Sequence, residues 1–81
     1  MAQKYFVYVL RSTRDKVLYV GSTQNIDGRL KRHNQGDYRF TKGHRPWEIV
    51  YQEELTSRSK AVKRERYLKS GIGREELNKF R

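Results

Sequence analysis

Two short aromatic segments near the start of the chain lie so close in sequence that they constrain everything after them. Tyr5-Phe6-Val7-Tyr8-Val9-Leu10 alternates so that Phe6, Tyr8 and Leu10 point to one side and Tyr5, Val7 and Val9 to the other. Both sides are apolar or aromatic, which is the pattern of an interior strand covered on both faces. Ser12-Thr13-Arg14-Asp15-Lys16 is polar and short enough for a hairpin loop, and Val17-Leu18-Tyr19-Val20 then returns antiparallel until Gly21 closes the strand. A chain that begins this way requires a sheet with a layer on each face.

The hairpin register decides where its tyrosines go. A loop centred between Thr13 and Arg14 sets Tyr8 directly opposite Tyr19; a centre one residue later makes them diagonal neighbours, about 7 to 8 Å apart. Either register puts both hydroxyls on one face, whereas a centre falling on a residue separates them. Gly21 itself lets another backbone or a ligand approach closely.

Ser22, Thr23 and Asn25 offer side-chain caps for a helix over residues 26–34, with Ile26 and Leu30 as its buried stripe. Arg29 and His33 are four apart and share a face beside that stripe. Gly28 costs about 1 kcal/mol there relative to Ala, and nothing in the sequence explains it. Residues 35–45 read as a polar loop mixing aromatics and bases: Tyr38, Phe40, Lys42, His44 and Arg45. Pro46 opens a third strand over residues 47–54, with Trp47, Ile49 and Tyr51 on one face. Thr56 or Ser57 caps a helix to about residue 69, whose apolar side gathers Ala61, Val62, Leu68 and, one turn on, Ile72. Gly71 and Gly73 end it, and residues 74–80 form a last short helix packing Leu77 and Phe80 on the core. The expected class is α+β, with elements in the order ββαβαα in one domain over residues 1–81.

Composition narrows the partners. A chain of 81 residues buries about 60 to 65% of its unfolded surface, so it has one modest core. Lys and Arg number 19 against 9 Asp and Glu, a formal net charge of +10. Such a surface seeks a polyanion, with nucleic acid the first candidate and anionic membrane the second. Ribosomal proteins share this composition, so charge alone does not separate an enzyme from a passive RNA binder. The absence of cysteine excludes disulfides and thiolate zinc sites and fits the cytoplasm. Met1-Ala2-Gln3-Lys4 leads straight into a strand pattern, so no signal segment is expected. No apolar run approaches the roughly 20 residues that span a bilayer, so no membrane partner is expected.

Glu65 is the odd residue of the third-strand-to-helix half. It falls on the apolar side between Ala61 and Leu68, surrounded by Lys60, Lys63, Arg64, Arg66 and Lys69. An ionised carboxylate placed there needs a partner. That partner is either one of the neighbouring arginines or a hard divalent cation such as Mg²⁺, which takes one or two carboxylates plus waters and substrate phosphate. Arg29 is either a surface base or a planar clamp for a phosphate gaining charge. His33 beside it is suited to relaying a proton. Tyr8 and Tyr19 are strand formers first; to act as a base near neutrality, a tyrosine needs a cationic surround favouring the phenolate, which the nearby bases offer.

Taken together, Phe6-Val7-Tyr8, Tyr19-Val20-Gly21, Arg29, His33 and Glu65 resemble the signatures of the GIY-YIG nuclease family, over nearly the whole chain. The resemblance implies a three-stranded antiparallel sheet flanked by helices, in agreement with the element order above. Phe6 stands where the family's first signature has glycine, and the role of a late family asparagine is not carried over to Asn78. The resemblance implies that Glu65 holds one Mg²⁺ or Mn²⁺ and that Arg29 stabilises the phosphate under attack. It implies that Tyr8 helps activate the water with His33 beside it, while Tyr19 positions the phosphate or a water on the metal. Lys31, Arg32, Lys42, His44 and Arg45 are the expected nucleic-acid contacts. The expected activity is metal-dependent hydrolysis of DNA phosphodiester bonds, structured or damaged DNA included, with a protein partner supplying any specificity. The alternatives are a non-catalytic nucleic-acid-binding module on the same fold and a ribosome-associated RNA binder.

Overall fold

The computed structural model describes residues 4–81. Its elements are β1 (Tyr5–Ser12), β2 (Leu18–Thr23), α1 (Ile26–Gln35), α2 (Arg39–Lys42), β3 (Trp47–Leu55), α3 (Arg58–Lys69) and α4 (Gly71–Leu77), followed by one 3₁₀ turn, Asn78–Phe80. The strands form one antiparallel sheet in the order β2-β1-β3. β1 is therefore central, as its two apolar faces require.

Each face has its own core. Val7, Val9 and Val20 pack under Ala61 and Leu68 of α3 and Leu77 of α4. Tyr8, Leu10 and Trp47 pack under Ile26 of α1, with Tyr19 and Leu30 against them. The sheet is thus the middle layer of three, and its two outer layers each carry part of the functional site.

The hairpin adopts the second of the two same-face registers. Tyr8 pairs with Gly21 and Leu10 with Tyr19, so Tyr8 and Tyr19 are diagonal neighbours with ring centroids 6.4 Å apart. Buried Ser12 pins the turn: its Oγ accepts from the N–H groups of Arg14 and Asp15, both at 3.1 Å, and donates to the His44 carbonyl at 2.6 Å.

Four expectations are corrected. Residues 35–45 are not all loop, because α2 forms within them and Trp47 donates its indole N–H to the Thr41 carbonyl at 2.8 Å. Tyr51 does not share a face with Trp47 and Ile49. The pairing passes from Val9–Tyr51 to Leu10–Ile49, so Val50 is an extra residue, a β-bulge that shifts the side-chain alternation and turns Tyr51 toward Phe80. Ile72 lies outside the buried stripe and is 68% exposed. Finally, the glycines after α3 open the next helix. Ser70 ends α3 and caps α4, its Oγ accepting from the Gly73 N–H at 3.3 Å. A β-carbon on Gly73 would run into the backbone of Tyr67 and Leu68, so this glycine lets α4 fold tightly onto α3.

Candidate active site

The site is assembled along β2, an edge strand of the sheet. On one face stand Tyr8, Tyr19 and, from α1, His33 and Arg29; on the other, α3 brings Glu65 to the same edge. α1 starts at Asn25, whose side chain accepts from the Gly28 N–H at 3.0 Å. A β-carbon on residue 28 would stand 2.7 Å from that capping amide, so the Asn25 side chain would have to shift to admit it.

Tyr8 is 2% exposed. Its hydroxyl lies 3.0 Å from His33 Nε2, and His33 Nδ1 lies 2.8 Å from Thr41 Oγ1. With Nδ1–H donated to Thr41, Nε2 is free to accept the Tyr8 proton. Three tyrosine rings surround this imidazole: Tyr8, Tyr19 and Tyr38, with centroids at 6.0, 5.0 and 4.5 Å. Burial, reinforced by the Arg29 charge, holds the His33 pKa below its ordinary value. The imidazole is therefore neutral at pH 7 and able to receive a proton.

The Tyr8 pKa moves against expectation. Burial raises it strongly, the neighbouring Tyr19, Tyr38 and Glu65 raise it further, and the Arg29 charge alone opposes them. The cationic surround does not favour the phenolate, because the ring lies inside the core while most of the bases lie at the surface. Tyr8 is a neutral phenol that shares its proton with His33.

Glu65 is held from two sides. Its Oε1 accepts from the Ser22 hydroxyl at 2.6 Å and its Oε2 from Lys69 Nζ at 2.7 Å. Burial pushes its carboxyl pKa up, but these hydrogen bonds and the charges of Lys69 and Arg29 outweigh that and hold it below the ordinary value. Its cation is thus a lysine one helical turn away, rather than an arginine. Lys69 also places its ammonium 5.8 Å from the Tyr19 ring centroid, tying the two faces of the site together.

A groove of about 580 Å³ opens beside this edge, lined by Ser22, Asn25, Arg29, Arg32 and Arg58. Arg29 and Arg32 both lie 5.5 Å from the Tyr38 ring centroid, so an aromatic face braces two guanidinium groups. Among the described residues, no three of His, Asp and Glu gather as metal ligands. The donor set is one ionised carboxylate beside a basic groove. That suits a hard ion completed by waters and phosphate.

The expected nucleic-acid contacts scatter around the site. Lys31 and Lys42 are exposed. Arg32 pairs with Asp37 at 3.3 Å, and Arg45 donates to the Lys42 carbonyl at 2.9 Å. His44 lies 2.6 Å from Asp15, whose pKa it lowers to about 2. Tyr38, Thr41, Ser22 and Lys69 were not singled out as site residues in the sequence. Of these Lys69 carried a signal in its i+4 spacing from Glu65, and Tyr38 one as an aromatic within the basic stretch 35–45.

This architecture, with two tyrosines on adjacent strands and an arginine and a glutamate delivered from helices on either face, belongs to a known class. The model of the GIY-YIG catalytic domain matches residues 4–78, and the chain belongs to the GIY-YIG family. Within it, the chain is similar to small proteins named UPF0213. One from Staphylococcus epidermidis is 39% identical over 75 residues, covering 91% of this chain and 90% of its own. Another, from Syntrophus aciditrophicus, is 42% identical over 76 residues, covering 91% and 86%. The solution NMR structure of the UPF0213 protein BH0048 from Bacillus halodurans matches with a TM-score of 0.56 and 28% identity, covering 96% of this chain and 85% of that one. Among the described residues, no helix is long and apolar enough to cross a membrane.

Proposed function

We propose that this chain is a metal-dependent endonuclease that hydrolyses DNA phosphodiester bonds, structured or damaged DNA included, working as a single domain in the cytoplasm. The observation that carries the reading is the ionised Glu65 carboxylate at the β2 edge, within electrostatic reach of Arg29 and, across the sheet, of Tyr8. Glu65 would hold one Mg²⁺ or Mn²⁺. When bound, such an ion neutralises phosphate charge and eases ionisation of the attacking water.

The protein's own groups divide the remaining work. Arg29 holds a non-bridging phosphate oxygen and meets the charge that builds there. Tyr8 accepts a proton from the attacking water while passing its own to the neutral His33, so the phenol is never a free phenolate and its raised pKa is no obstacle. Tyr19 positions the phosphate. The water oxygen bonds to phosphorus, the bond from phosphorus to the leaving sugar oxygen breaks, and that oxygen takes a proton from solvent water. Lys31, Arg32, Lys42 and Arg45 bind flanking phosphates. These contacts reach the backbone rather than base edges, so sequence specificity is low unless a protein partner supplies it.

Supercoiled and branched DNA incubated with the pure protein and Mg²⁺ or Mn²⁺ tests this. Cutting is expected, and both Glu65→Ala and Arg29→Ala should abolish it. No cutting, or cutting that persists in both variants, defeats the reading. One observation favours a second reading, a non-catalytic nucleic-acid-binding module: Lys69 already occupies Glu65 Oε2. Tight binding of the same DNA without cutting would select it.

A further inference from the structure

Phe40 is 54% exposed, one of two large hydrophobic side chains in that position among the described residues. A single exposed aromatic ordinarily needs no explanation, but this one sits on the site. Its ring stacks on Tyr19 with centroids 6.2 Å apart and planes 30° from parallel, and His44 flanks it at 4.9 Å. Tyr19 in turn contacts His33 and Trp47. Phe40 is thus the solvent end of an aromatic ladder whose inner rungs are the catalytic candidates.

Phe40 also borders a second groove, separate from the one that Arg29 lines. This groove has a volume of about 390 Å³ and is lined by Val17, Tyr19, Phe40, Lys69, Arg74 and Arg81 among others. An apolar, aromatic wall facing three cations matches a ligand with a flat π-face joined to anions. We propose that Phe40 and this groove bind an unpaired nucleobase of the DNA substrate, with the base stacked on Phe40 and its flanking phosphates on Lys69, Arg74 and Arg81. The proposal deepens the nuclease reading and rests on it, since Tyr19 and Lys69 belong to both sites. The preferred substrate is then DNA with a bulged, flapped or single-stranded nucleotide next to the scissile phosphate. Fully paired duplex has no base free to stack.

The test uses the full chain and three labelled DNA duplexes of one sequence, with EDTA present so that nothing is cut. One carries a bulged 2-aminopurine, one an abasic bulge, and one is fully paired. The bulged base should bind about 5- to 160-fold more tightly than the abasic site, the range for base–aromatic stacking, and its fluorescence should be quenched. Phe40→Ala should erase both effects, and Phe40→Trp should keep them. Equal binding of the base and abasic bulges, or a preference that survives Phe40→Ala, overturns the proposal. An RNA bulge bound more tightly than the DNA bulge overturns DNA as the occupant. Adding Mn²⁺ to the same duplexes separates the two readings. Base preference without cutting sinks the nuclease and leaves the stacking site, and cutting without base preference does the reverse.

Discussion

Tyr8 lies across Gly21, its hydroxyl oxygen 2.5 Å and its Cζ 2.6 Å from the point a β-carbon on residue 21 would occupy. The glycine that ends the second signature is thus space for the tyrosine of the first. Its absent side chain lets the Tyr8 hydroxyl reach His33 across the sheet face.

Gly21→Ala should therefore act on fold and site together. The new methyl group meets a ring already enclosed by Leu10, Ile26 and Trp47 in the same core, so overpacking costs about 1 to 3 kcal/mol. Thermal melting reads that loss. Displacing Tyr8 from Nε2 also removes the proton relay, so DNA cutting should fall even at temperatures where the variant stays folded. Cutting at the parental rate by folded Gly21→Ala would show that the relay is dispensable.

Arg29→Lys separates a planar clamp from a mere positive charge. Lysine keeps the charge beside Glu65 and His33 but loses the forked donors. If Arg29 acts on charge developing in the transition state, kcat should fall about 100- to 1,000-fold with KM little changed. A rise in KM alone would mark Arg29 as a binding residue only.

The sequence disclosed those parts of the architecture that repeat with a period. Alternation in Tyr5–Leu10 marked β1 as covered on both faces, and the four-residue spacing put Arg29 beside His33. Glu65 stood out because a carboxylate interrupted an apolar stripe. What stayed hidden depended on events without a period. One extra residue at Val50 reversed the side of Tyr51, and α2 is tied to the core through the buried Thr41 hydroxyl and the Trp47 indole, neither of which leaves a pattern. The Tyr8 pKa was also beyond reach, because its direction depends on burial depth and not on which bases lie nearby in sequence.

Arg11 ties the chain's end to the sheet. Its Nη1 donates to the Phe80 carbonyl at 3.0 Å, and its Nε and Nη2 reach Glu48 on β3. Arg11→Met keeps the apolar stem and removes these bonds, which should cost about 1 to 3 kcal/mol. Hydrogen exchange in residues 78–80 should rise first, because the core under Leu77 does not depend on Arg11. Uniform loss of protection through β1 would show instead that the arginine supports the whole sheet.

The His33 environment gives the protein a pH dependence whose sign is fixed. The folded state holds the His33 pKa below its ordinary value through burial and then the Arg29 charge, while in the unfolded chain it titrates near about 6.5. Below that pH the unfolded state binds more protons, so stability falls as pH drops from about 6.5 toward the folded value and levels off beneath it, where both states are protonated. The contribution is fully present above about 6.5, and one such group sets a slope of at most about 1.4 kcal/mol per pH unit. Urea midpoints measured between about pH 7.5 and 5 should show this slope in the parent protein and lose it in His33→Gln, which keeps a polar group between Tyr8 and Thr41 but does not titrate. A parallel slope in His33→Gln would assign the effect to other groups. The same titration should appear as the acid limb of the cutting rate, because a protonated His33 can no longer take the Tyr8 proton.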